Sequence, residues 1–151
     1  MDKVCAFFGH REIWRDISTT VERAIRSAIT EHGMTVFWVG GYGAFDFLAS
    51  HCVRRLKKDY PQIKLHLILA YIPTRKALLE DAYDRIIYPA GLELVPKRFA
   101  ISQRNRWIIH HCDMVIAYVR NTYGGAYSAL QQAKKKGCVI LNLAESDNAA
   151  Q

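Results

Sequence analysis

A chain of 151 residues, half of them hydrophobic and 23% charged, has the material for one full core and too little for two ordinary domains. No stretch combines low complexity with high charge, which excludes a disordered or fibrous protein, and no apolar run approaches the roughly 18 uncharged residues of a membrane span. The net charge of +7 fits a nucleic-acid partner, an anionic small molecule or solubility alone, so composition does not choose among them.

Asp2 and Lys3 lead directly into the apolar run Val4 to Phe8, which reads as a strand and not as a secretory leader, so a cytoplasmic protein is expected. After Gly9, the residues Ile17, Val21, Ala24, Ile25, Ala28 and Ile29 recur at helical spacing up to His32 and Gly33. Thr35 to Val39 is β-branched and aromatic, stops at Gly40-Gly41, and precedes a second helical stretch through Leu48, Ala49, Cys52, Val53 and Leu56.

Leu65 to Ala70 predicts a third strand, Thr74 to about Tyr88 a helix ending at Pro89 and Gly91, and Leu92 to Val95 a short strand. Arg98 to Cys112 predicts a helix, Met114 to Tyr118 a strand, Ala126 to Lys136 a helix, and Cys138 to Leu143 the last strand. Alternating strands and helices imply an α/β fold: one Rossmann-like three-layer α/β/α domain with a mostly parallel sheet over residues 1–143, and a flexible C-terminal tail over 144–151.

Three strands run into glycine at their carboxyl ends, the edge where ligands bind in open α/β sheets. Gly40-Gly41-Tyr42-Gly43 allows backbone N–H groups to approach a phosphate, or serves only as a tight turn with ordinary helix capping. It matches neither the P-loop nor the GxGxxG fingerprint, so kinase and dehydrogenase chemistry lack support.

The segment Asn121-Thr122-Tyr123-Gly124-Gly125-Ala126-Tyr127-Ser128 is a second strand-to-helix loop, with Ser128 among its hydroxyls. Gly9-His10-Arg11 adds a guanidinium suited to a pair of phosphate oxygens, or to a surface ion pair. Arg104 and Asn105 interrupt the apolar stripe of Ile101 and Ile108, which places them either in a ligand cleft or in a buried pair with Asp46 or Asp113.

Asp46 lies in the first turn of its helix, where capping and a ribose contact are both served by a carboxylate. Tyr71 ends the third strand, and its ring suits either a stacked base or ordinary packing. The adjacent His110 and His111 have no metal-site spacing, and Cys5, Cys52, Cys112 and Cys138 form no CxxC pair, so no metal and no cofactor is called for. The runs Arg54-Arg55-Leu56-Lys57-Lys58 and Lys134-Lys135-Lys136 sit near helix ends, where cations complement the dipole.

Together Cys5 to Arg11, Gly40 to Asp46, Arg104-Asn105 and Gly124-Gly125 resemble the YpsA-like branch of the SLOG superfamily over nearly the whole chain. That resemblance implies a Rossmann-like fold and a nucleotide, ADP-ribose or another NAD-derived ligand held by the three glycine loops, in a sensor or binding module. The Lonely Guy enzymes of the same superfamily cleave nucleotide N-glycosidic bonds with a carboxylate in a PGGxGTxxE loop. Here Ser128, Gln131 and Gln132 stand where that carboxylate is sought, which leaves Asp46 as the acid if the protein is a nucleotide N-glycosidase. Nucleic-acid binding, as in the SLOG-like DNA-processing protein A, is a further alternative. A homodimer through Trp14 or Trp107 is also a possibility raised by the resemblance.

Overall fold

The structure is a computed structural model that describes residues 2–72 and 82–145. Six strands form one sheet in the order β4-β3-β2-β1-β5-β6, with every neighbouring pair parallel. They are β1 (Val4–Gly9), β2 (Val36–Val39), β3 (Lys64–Ile68), β4 (Arg85–Ile87), β5 (Met114–Tyr118) and β6 (Val139–Asn142). The helices are α1 (Ser18–Thr30), α2 (Ala44–Leu56), α3 (Ala100–His111) and α4 (Gly125–Lys136). The α/β, Rossmann-like architecture expected from the alternation is thus present.

The central strands β2 and β5 are buried along their whole length, which is why their sequences are apolar without alternation. One sheet face packs through Phe7, Phe37, Leu65 and Ile116 onto Val21 and Ile25 of α1 and Phe45, Ala49 and Val53 of α2. The opposite face packs through Ala6, Phe8, Val115 and Ala117 onto Ile108 and Ile109 of α3 and Ala129, Leu130 and Ala133 of α4. Chain order reverses across the sheet at β1, flanked by β2 on one side and β5 on the other. The loops after β1 and β5 diverge there and leave a crevice at the carboxyl edge.

Two expectations from the sequence are corrected. Arg85–Ile87, expected as the end of a helix, is the short edge strand β4, paired with His66 to Ile68 of β3; the rest of that expected helix, through Asp81, lies outside the described residues. Leu92 to Val95, expected as a strand, is a 3-10 turn over Leu92–Leu94. Gly91 enters it at φ 93°, and Pro96 follows one residue after its end, which leaves no room for a paired strand. The helix expected from Arg98 begins at Ala100, after a second 3-10 turn over Lys97–Phe99.

Leu143 and Ala144 are buried in the α1–α2 core. The remainder of the expected tail lies, from residue 146 on, outside the described residues. No described helix is long and apolar enough to cross a membrane.

Candidate functional site

The crevice holds a cavity of about 270 Å³ between the loops after β1, β2 and β5 and the first half of α3. Of the residues singled out from the sequence, it brings together Gly9, His10, Arg11, Gly40, Asp46, Arg104, Asn105, Gly124 and Gly125. Gly41, Gly43, Tyr71 and Ser128 do not line it.

The loop after β2 is occupied by the protein's own groups. The Tyr42 N–H donates to Asp46 Oδ2 at 3.2 Å, and the Gly40 and Gly41 N–H groups lie near enough to that carboxylate to favour its charged form. At the N-terminus of α2, the Ala44 N–H donates to the Arg11 carbonyl at 2.8 Å and the Phe45 N–H to the His10 carbonyl at 3.4 Å. Gly43, at φ 90°, sits against the Arg11 backbone, where a Cβ would lie 2.7 Å from Arg11 Cα. The N–H groups expected from the sequence to approach a phosphate are therefore turned onto Asp46 and onto the β1 loop.

Burial pushes the Asp46 carboxyl up to about 6, against the pull of the Tyr42 N–H, the Arg104 guanidinium and the N–H groups of Gly40 and Gly41. Arg104 is itself only 4% exposed. Its Nη1 donates to the Gly40 carbonyl at 3.0 Å and the Ile68 carbonyl at 3.1 Å, and its Nε to Asn105 Oδ1 at 3.0 Å. A Cβ on Gly40 would lie 2.7 Å from the Arg104 guanidinium, so glycine there makes room for the arginine.

Of the two structural partners weighed for Arg104, Asp113 is engaged elsewhere, accepting from the Val4 N–H at 2.8 Å. Asp46 supports the cation electrostatically while burial lowers the arginine's pKa. Arg104 thus ties α3 to the ends of β2 and β3 and at the same time forms part of the cavity wall.

In the β1 loop, a Cβ on Gly9 would overlap the Phe45 ring, so this glycine lets α2 close onto the strand end. His10 Nε2 accepts the Arg120 N–H at 2.8 Å and joins the loops after β1 and β5. Burial, with Arg120 nearby, lowers its pKa and favours the neutral ring that this bond requires. Arg11 is exposed, and its guanidinium makes no hydrogen bond or ion pair among the described residues.

The loop after β5 contrasts with the loop after β2. Gly124 caps α4 at φ 94°, no side chain caps the helix and no acidic residue stands in its first turn. The N–H groups of Gly125, Ala126 and Tyr127 have no partner among the described residues, and Ser128 N–H returns to the Gly124 carbonyl at 3.0 Å. Cβ atoms on Gly124 and Gly125 would meet no atom of the described residues within 4 Å. The helix end is an open set of donors at the cavity wall, with the positive end of its dipole exposed.

Gly41 and Gly43 act as turn residues away from the cavity, and the Ser128 hydroxyl accepts from Gln132 at 3.3 Å. Tyr71 donates its hydroxyl to the Lys97 carbonyl at 2.9 Å and meets the Tyr42 ring edge-on at 6.3 Å. The sequence reading left Tyr42, Asn121 and Tyr123 outside its site set, although all three line the cavity. Their positions beside the glycines were the available signal. Trp14 is 90% exposed, while Trp107 stacks on Trp38 at 5.1 Å.

No family model and no curated protein matches the chain. Among solved structures it is similar to DNA processing protein A from Helicobacter pylori, described for its single-stranded DNA binding mode. That likeness has a TM-score of 0.62 and 20% identity, covering 91% of this chain and 63% of the other. The chain is also similar to the molybdenum cofactor binding protein from the phototrophic bacterium Rippkaea orientalis, with a TM-score of 0.60 and 19% identity over 99% of this chain and 84% of that one.

A third likeness is to the Moco carrier protein from Chlamydomonas reinhardtii, with a TM-score of 0.58 and 13% identity over 95% and 77% of the two chains. The chain spans less than two thirds of DNA processing protein A, 63% in Helicobacter pylori and 61% in Streptococcus pneumoniae. The fold is the one these solved structures share.

Proposed function

We propose that the protein binds a nucleotide-type small molecule at this cavity, with its phosphate at the N-terminus of α4 and its body between the β1, β2 and β5 loops. The observation that carries the reading is the open helix end at Gly124-Gly125. Among the described residues nothing occupies its N–H groups or the space beside those glycines, and Arg11 lines the same cavity. A volume of about 270 Å³ lies just below the roughly 300–1,000 Å³ range of ligand pockets and suits one nucleotide more than two.

The similar structures are named for binding single-stranded DNA or a molybdenum cofactor, so ligand binding is the property carried over from them, and the nucleotide is proposed from the site alone. Calorimetric titration of the chain with nucleoside monophosphates, ADP-ribose and NAD tests it. Binding below millimolar concentration is expected for at least one of them, and the absence of any such binding removes the reading.

One observation favours hydrolysis of a nucleotide N-glycosidic bond as a second reading. Asp46 is a cavity-lining carboxyl raised to about 6, a value suited to proton transfer near neutral pH. Its bond from the Tyr42 N–H and its place beside the N–H groups of Gly40 and Gly41 favour a structural role and place sensing or binding first. Release of free base from nucleoside monophosphates, lost in Asp46→Asn, would reverse that order.

A further inference from the structure

The cavity has a second recognition element besides the open helix end. Tyr42 and Tyr123 line it from two different loops, those after β2 and β5, and remain 42% and 71% exposed. Two large rings flank one small cavity, with apolar surface from Ile101 and Ile108 also in its wall. Exposed aromatic surface of this kind is costly in water and becomes favourable when a flat partner covers it.

Tyr42 is also held in place. The Tyr71 ring stands edge-on to it at 86° with the centroids 6.3 Å apart, and the Arg104 guanidinium lies 5.8 Å from its centroid. Tyr71 is anchored in turn by its bond to the Lys97 carbonyl. A ring fixed before the ligand arrives loses little freedom on binding, which favours its use as a platform. Tyr123 makes no ring contact or side-chain hydrogen bond among the described residues and immediately precedes Gly124-Gly125. A ring stacked beside it lies within one nucleotide's reach of the α4 N–H groups.

We infer that Tyr42 and Tyr123 are the ring-recognition residues of the site, and that its ligand is a free, ring-bearing 5′-phosphate of nucleoside monophosphate size. The inference rests on the proposed phosphate site at α4 and adds a ring requirement to it. Stacking on tyrosine accepts any heterocycle, so the two tyrosines select for the presence of a ring and not for one base.

The test is calorimetric titration of the full chain with AMP, ribose 5-phosphate, inorganic phosphate and a single-stranded oligothymidylate. AMP is expected to bind about tenfold or more tightly than ribose 5-phosphate, which carries an anomeric hydroxyl in place of the base. Tyr42→Leu and Tyr123→Leu should each weaken AMP about tenfold and bring the ratio of the two affinities towards one, whereas Tyr42→Phe should keep AMP within about twofold. Thermal unfolding of each variant, with the phenylalanine rescue, separates loss of the ring from loss of the fold.

Equal affinity for AMP and ribose 5-phosphate, or leucine variants that keep the preference, would overturn the ring inference and leave the phosphate site standing. Failure of AMP, ribose 5-phosphate and phosphate alike would overturn both. Binding of the oligonucleotide far more tightly than AMP would overturn the free mononucleotide as occupant.

Discussion

Two strand-to-helix loops of this protein carry consecutive glycines and meet at one cavity, yet their glycines are there for different reasons. In the β2–α2 loop, Gly40 yields space to Arg104, Gly43 to Arg11, the Tyr42 N–H is taken by Asp46, and the N–H groups of Gly40 and Gly41 lie beside the same carboxylate. In the β5–α4 loop, among the described residues, no protein atom lies within 4 Å of a Cβ on Gly124 or Gly125, and the N–H groups that follow are unoccupied. A glycine motif therefore marks close approach without saying what approaches. The partner of the first loop is the protein itself, and a ligand is proposed for the second.

The contrast is open to mutation, with the largest effect expected at the centre of the occupied loop. Arg104→Gln strands the Gly40 and Ile68 carbonyls and removes the cation that supports Asp46. It should destabilise the ligand-free protein by about 3 to 5 kcal/mol in urea unfolding. An unfolding midpoint equal to wild type would show that the network is dispensable and return Arg104 to a purely ligand-facing role.

Next comes the pH dependence set by Asp46. Its carboxyl rises from the ordinary 3.8 to about 6 on folding, so the folded protein holds this proton more tightly than the unfolded chain. Its contribution to stability is then fully present below about pH 4 and is lost as the pH rises through about 6, by at most about 3 kcal/mol. Melting curves between those pH values should fall more steeply for wild type than for Asp46→Asn. Parallel curves would contradict the buried-carboxyl account.

Gly9→Ala pushes a Cβ into the Phe45 ring and should cost about 1 to 3 kcal/mol. The smallest effect on stability belongs to the open loop. Gly125→Val should leave the unfolding free energy within about 0.5 kcal/mol of wild type, since its side chain enters empty space. The same substitution should sharply weaken AMP binding. A Gly125→Val protein that is unstable, or that binds as well as wild type, would erase the distinction between the loops.

Most of this architecture was legible because central parallel strands are continuous apolar runs and their helices carry a clear 3.6-residue stripe. The same logic exposed Arg104 and Asn105, polar residues in the stripe of Ile101 and Ile108 that prove to be buried. β4 was missed because three residues at a sheet edge are too few to show a period. Leu92 to Val95 misled because apolar content alone does not distinguish a strand from a turn held between Gly91 and Pro96.

At the site, the sequence located the loops and not the direction of their N–H groups, which depends on Asp46 turning back onto residues 40 to 42. Tyr42 and Tyr123 gave no pattern signal, since exposed loop aromatics follow no periodicity. Beyond their adjacency to the glycines, their place at the cavity emerges from the meeting of loops far apart in the chain.

The central claim, that the second loop and not the first takes the phosphate, is tested most directly by following backbone amide resonances of isotopically labelled protein during titration with AMP. The account predicts that the largest shifts fall on Gly125, Ala126 and Tyr127, while the amides of Gly40 and Gly41, beside the Asp46 carboxylate, move little. Shifts concentrated at Gly40, Gly41 and Tyr42, with the start of α4 unchanged, would contradict it.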